Sequence, residues 1–131
     1  MNKICGIDYG ITSPGMTIHC GDTWAPKNCR FYAVTSVKKL SGIYGNIHIE
    51  YVDSRYDDIQ RYDLISDYIM EQIQSSGCNS ISIEEYAFSA HGKITKLAEN
   101  GAVLKYKLYK NCIKYKSIIP SSVKKFATGK G

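Results

Sequence analysis

At 131 residues and 14.7 kDa, with 44% hydrophobic and 22% charged residues, the chain has the size and composition of one domain with one core. Its longest apolar runs, such as Ile118-Ile119, are far too short to cross a bilayer. The opening MNKICGIDYG is broken by Gly6 and Asp8 before any secretory apolar region forms, so a protein that stays in the cytoplasm is expected.

Lys3 to Asp8 (KICGID) reads as a short buried strand, and Gly10 to Gly15 (GITSPG) carries the Gly, Ser and Pro of a chain reversal. Met16 to Cys20 then makes a hairpin with the first strand. After a loop rich in Gly, Pro and Asn, Arg30 to Thr35 is a further strand. Ile47, Ile49 and Tyr51 alternate with polar neighbours, the period-two mark of a half-buried strand. Asp57 is placed to cap a helix, with Gln60 as its reciprocal partner. Ile59, Tyr62, Ile65, Ile69 and Ile73 form its apolar stripe, and Gly77 is its C-terminal stop. Asn79 to Glu84 (NSISIE) is a strand, and Ile94, Leu97, Ala98, Gly101, Leu104 and Leu108 outline a second amphipathic helix. Tyr115 to Ile119 is the last strand, stopped by Pro120, with Ser121 as cap of a helix beginning at Val123. An antiparallel start followed by β-α-β-α-β predicts an α/β fold, a mixed sheet with helices packed on its faces. Right-handed crossovers put the strand ending at Glu84 among the central ones.

Charge is unevenly spread. From His91 to Gly131 there are ten lysines against Glu99 alone, a balance of +9, which leaves −4 on residues 1–90 of the total +5. A single lysine is ordinarily a solvated side chain; ten against one acid favour a polyanionic partner. The five cysteines, Cys5, Cys20, Cys29, Cys78 and Cys112, include no C-x-x-C pair, so neither a disulfide framework nor a zinc site follows from them.

Asp8 and Glu84 each end an apolar strand. A carboxylate in that position is often only a loop cap, but the carboxyl ends of sheet strands are also where open α/β folds bind ligands. Two acids meeting there repel unless a cation lies between them, and oxygen donors suit Mg²⁺ or Mn²⁺. Alternation puts Glu84 and Glu85 on opposite faces without saying which one faces the site.

Three blocks carry a family resemblance. Gly6-Ile7-Asp8-x-Gly10-x-x-Ser13-Pro14-Gly15 resembles the first motif of the RuvC-like Holliday junction resolvases. Ile83-Glu84-Glu85-Tyr86-Ala87-Phe88 with Lys96-Leu97-Ala98-Glu99-Asn100-Gly101 resembles their second motif and the helix after it. Pro120 to Gly131 (PSSVKKFATGKG) is similar to the segment before their final catalytic helix. The match is best to small phage-encoded members, and Tyr9 stands where many cellular members have Pro.

The resemblance implies a single ribonuclease-H-like nuclease domain over residues 1–131, with Asp8 and Glu84 as catalytic and metal-binding residues. Glu85 becomes a supporting or surface residue. Implied with these are two Mg²⁺ ions, replaceable by Mn²⁺, roughly 4 Å apart. Branched DNA, a four-way junction above all, is the implied substrate. A homodimer formed in part by the second helix would match its two-fold symmetry. Further carboxylates are implied on a helix after the Thr-Gly-Lys-Gly loop, and the chain is expected to lack that helix. Lys93, Lys96, Lys124, Lys125 and Lys130 become DNA-binding candidates, with Lys105 and Lys107 along the same helix as Lys93. Binding by such a set weakens by about 0.9 log units per log salt for each phosphate contacted.

Gly101 weakens a helix by about 1 kcal/mol relative to Ala, so close packing of that helix on its surroundings is expected. Tyr86 and Phe88 are candidate wedges for an opened junction, with a core role preferred for Phe88. His19 and His48 are not expected to bind metal, and His91 is a loop residue near the site. Three competing functions remain: a phosphate-binding ATPase of the actin and sugar-kinase type, a non-catalytic binder of branched DNA, and a nuclease for RNA, flaps or forks. The first needs far more chain than 131 residues.

Overall fold

The structure, a computed structural model, describes residues 2–86 and 92–130; Phe88 and His91 lie outside them. The strands are β1 (Lys3–Asp8), β2 (Gly15–Cys20), β3 (Cys29–Thr35), β4 (Gly42–Tyr44), β5 (Ile47–Tyr51), β6 (Ser80–Glu84) and β7 (Lys116–Ile118). The helices are α1 (Asp58–Ser76), α2 (Ile94–Lys110) and α3 (Pro120–Thr128). One mixed sheet runs β4-β5-β3-β2-β1-β6-β7. β1 pairs antiparallel with β2 and parallel with β6, and β6 pairs parallel with β7.

The sequence pattern does not contain β4. All three of its residues are exposed, so no alternation marks it, and it turns back along β5 through Gly45 at φ 63°. That excursion lets β5 run parallel to β3, where a simple antiparallel start would have reversed it.

Both long crossovers, β5-α1-β6 and β6-α2-β7, move the same way across the sheet. Right-handedness therefore puts α1 and α2 on one face. Beneath them lie Cys5, Ile7, Met16, Ile18, Tyr32, Val34, Ile81 and Ile83, meeting Ile65, Ile69, Ile73, Leu104 and Leu108 in one core. Each such side chain contributes about 1.5–3 kcal/mol through burial. Gly6 and Asp8, which alternate with Cys5 and Ile7, face the other side and are exposed.

α1 begins and ends as its sequence predicts. The Asp57 carboxylate accepts from the Gln60 amide at 2.8 Å, and Gly77 closes the helix at φ 65°. Replacing Asp57 with Ala should cost about 1 kcal/mol, read as a lower denaturation midpoint with an unchanged slope. Two apolar stripes are shorter than predicted. Ile59 is 65% exposed and Ile94 37% exposed, because the first turn of each helix projects beyond the surface it packs on. Ala98 is also exposed, whereas Asn100, outside the apolar pattern, is fully buried. α3 starts at Pro120, with Ile119 in the cap position and no side-chain cap, so Ser121 is inside the helix rather than ahead of it. Proline's fixed φ and missing N–H suit a first helical position and account for the earlier start. No helix among the described residues is long and apolar enough to cross a membrane.

Candidate functional site

Ile7 lies beside Ile83 in the parallel β1–β6 pair, and both are buried under the helices. Asp8 and Glu84 are the next residues along these neighbouring strands, so alternation turns both onto the open face at the same edge. They meet at the end of a groove of about 500 Å³. Gly6, Thr17 and Ser82 form a row of small residues across its floor, while Phe31 bounds one side and Ile118 and Val123 the other.

The electrostatics of this pair are unfavourable without a counter-charge. Burial pushes the Glu84 carboxyl above its ordinary range, the negative charge of Asp8 pushes it further, and Lys124 partly offsets both. A carboxyl raised in this way binds its proton more tightly folded than unfolded. Its ionised form therefore costs stability above the folded pKa, and the cost disappears as the pH falls below the ordinary carboxylate range. In metal-free protein, Glu84→Gln should accordingly raise Tm at pH 7, with the gain gone below about pH 4. Calorimetry at the two pH values checks this; an unchanged or lower Tm at pH 7 contradicts it.

Glu85 is oriented differently. A hydrogen bond from Ser117 is the main influence holding its carboxyl below the usual range, with help from Lys105, whose Nζ lies 3.5 Å from Glu85 Oε1. Its amide donates to the Ile118 carbonyl at 2.8 Å, continuing the β6–β7 pairing. Glu84 is thus the acid beside Asp8, and Glu85 is engaged elsewhere.

The turn after β1 is held from two sides. The Val34 amide donates to the Pro14 carbonyl at 3.2 Å, and Asn100 Nδ2 donates to the Gly10 carbonyl at 3.2 Å. Tyr9 is buried in the core. Asn100 lies in the second motif block, but the sequence assigns it no role because a polar residue breaks an apolar stripe. Its position, between Leu97 and Leu104 on the inner face of α2, was the available signal.

The candidate lysines separate into groups. Lys93, Lys125 and Lys130 have no acidic partner among the described residues, and Lys124 faces Glu84. Lys96 pairs with Asp58 at 2.9 Å, an exposed contact that a competing phosphate can replace. Lys105 and Lys107 are structural. Lys105 lies against Glu85 and Tyr86, and Lys107 bridges Asp63 and Asp67 at 2.6 Å each, tying α2 to α1. Among the described residues no three or more His, Cys, Asp or Glu side chains gather where they could hold a metal ion.

No protein-family model and no curated protein matches the sequence. Solved structures do match the fold. RuvC from Thermus thermophilus superposes with a TM-score of 0.64 at 15% identity, over 94% of this chain and 67% of that one. The T. thermophilus RuvC in complex with a Holliday junction substrate gives a TM-score of 0.65 at 16% identity, over 95% and 69%. The fold is that of RuvC, ribonuclease-H-like. Within this RuvC-like sheet, Asp8 and Glu84 lie at the carboxyl ends of the neighbouring parallel strands β1 and β6, and β6 is second from the edge rather than central.

Proposed function

We propose that the chain is a metal-dependent endonuclease that hydrolyses phosphodiesters in branched DNA, with the four-way junction as its principal substrate. The observation that carries this reading is the juxtaposition of Asp8 and Glu84 on the open face of a RuvC-like sheet. Support for the substrate comes from the similar RuvC solved on a Holliday junction and from the excess of lysine after residue 90.

The donor set fits a hard divalent cation. Two carboxylates in mutual repulsion supply oxygen ligands and gain most from a positive charge between them, as Mg²⁺ or Mn²⁺ would provide. Bound there, such an ion supplies Lewis-acid stabilisation of the phosphodiester and an activated water. Asp8 and Glu84 hold it at the end of a groove whose small floor residues leave the backbone of a nucleic acid free to approach. Lys124 stands beside the carboxylates to meet a phosphate, with Lys125 and Lys130 following on the exposed α3 and its exit. Lys93 and Lys96, at the start of α2, are assigned to a second stretch of backbone. A second ion would call for further carboxylates beside Asp8 and Glu84. In this reading residues 1–131 act as one nuclease domain, working as a homodimer whose two sites make paired nicks.

The test is a labelled four-way junction incubated with the protein in Mg²⁺, in Mn²⁺ and in chelator, beside linear duplex, a flap, a fork and an RNA hybrid. Metal-dependent nicking of the junction in preference to the others is the expected result. Binding without cleavage in either metal would replace the enzyme by a non-catalytic junction binder. ATP binding without affinity for DNA would replace both.

A further inference from the structure

Beyond the pair Ile7–Ile83 the β1–β6 ladder ends. Asp8 is then held by β2, opposite Gly15, and Glu84 by β7, opposite Ile118. The two acids are therefore tied to different neighbours at the point where their separation matters, and they repel each other. The direct β1–β6 pairing stops one residue short of the acids, which leaves their final separation open to contacts from outside the sheet.

Helix α2 reaches the chain immediately past both acids, from the opposite face of the sheet. Asn100, fully buried, donates through Nδ2 to the Gly10 carbonyl, two residues after Asp8. The next residue, Gly101, leaves room for the Tyr86 ring. A methyl group there would overlap the Tyr86 hydroxyl and come within 3.0 and 3.1 Å of its ring carbons. One turn further, Lys105 Nζ is 3.5 Å from the Glu85 carboxylate, 5.3 Å from the centre of the Tyr86 ring and 6.0 Å from that of Tyr115. Residues 10, 85 and 86, which flank Asp8 and Glu84, are thus all gripped by one face of one helix.

We propose that α2 is a brace that sets the separation of Asp8 and Glu84, with Asn100 and Lys105 as positioning residues and Gly101 as the seat for Tyr86. This inference rests on the metal-site reading of the two acids. It assigns α2 a task distinct from core packing, which Leu104 and Leu108 already perform. Residues that orient metal ligands from behind typically alter affinity by about 10–100-fold when removed.

The experiment measures Mn²⁺ affinity by calorimetry on the full chain without DNA, junction cleavage under saturating metal, and thermal melting. The variants are Asn100→Leu, Lys105→Met, Lys105→Arg, Gly101→Ala and the double variant Gly101→Ala with Tyr86→Phe. Asn100→Leu and Lys105→Met should each weaken Mn²⁺ binding about tenfold and lower kcat with little change in KM for the junction. Lys105→Arg should restore both, since it keeps the cation between Glu85 and the rings. Gly101→Ala separates the brace from mere helix stability. Alanine favours the helix yet collides with Tyr86, so Mn²⁺ affinity should fall, and removing the Tyr86 hydroxyl should recover part of it. Folded variants that bind Mn²⁺ as tightly as wild type overturn the brace and leave the metal site intact. Wild type that binds no Mn²⁺, or Asp8→Asn that binds it equally, overturns the metal site and the brace with it.

Discussion

Asp8→Asn should abolish junction cleavage, lowering the single-turnover rate on the order of 10³-fold, while junction binding survives. The reasoning is electrostatic. A divalent ion contributes several kcal/mol to stabilising a phosphodiester transition state, and each 1.36 kcal/mol is a factor of ten in rate. Asparagine keeps the size of Asp8 and an oxygen donor but removes the charge that would hold the proposed ion. Glu84→Gln should behave in the same way, because the two carboxylates share one position at the groove's end. Glu85→Gln is the control. Its carboxylate is committed to Ser117 and Lys105, so any loss should be far smaller. Binding should hold or tighten in the first two variants, since each removes a negative charge facing phosphate. The rates come from labelled junctions and the affinities from fluorescence anisotropy in chelator. Cleavage at the wild-type rate by both Asp8→Asn and Glu84→Gln would end the proposed mechanism.

The largest stability effect should come from Ile69→Ala. Ile69 is fully buried between α1 and the sheet, and truncating such a side chain costs about 2–5 kcal/mol through lost burial and an unfilled cavity. Domains of this class have only about 5–15 kcal/mol in total, so Tm should fall on the order of 10 °C or more. Ile59→Ala, ten residues earlier on the same apparent stripe, should change stability by less than about 0.5 kcal/mol, because Ile59 is 65% exposed. Thermal melts of the two variants side by side decide the matter. Equal losses would mean that α1 is packed along its whole length.

The contrast between these isoleucines shows where the sequence was legible. Periodicity places residues around a helix axis and says nothing of how far along it the supporting surface extends. Ile59 has the right phase, yet it lies in the exposed first turn. The ends of α1 were readable because Asp57 and Gly77 act within one turn of themselves, whereas at α3 the proline expected only to stop a strand also starts the helix. β4 was not readable, since a three-residue exposed strand leaves no alternation. Bringing Asp8 close to the end of the Glu84 strand required only two strand ends and a parallel crossover, but choosing Glu84 over Glu85 required the motif resemblance. Asn100 required knowing that α2 passes over Gly10, a contact spanning 90 residues. Net charge was similarly blunt. Ten lysines after residue 90 suggested a polyanion, but Lys105 and Lys107 are used to fasten the protein to itself, and only a structure tells these from Lys125 or Lys130.

The parallel register of β1 against β6 has a wider consequence. Side chains alternate with a period of two, so the pairing that buries Ile7 and Ile83 is the same pairing that delivers Asp8 and Glu84 to the opposite face. Deleting or inserting one residue within either strand would exchange the faces, sending an acid into the core and an isoleucine into the groove. Foldability and the proposed metal site are therefore inherited together in these two strands. Lineages carrying this fold should tolerate substitutions there far more readily than changes in length.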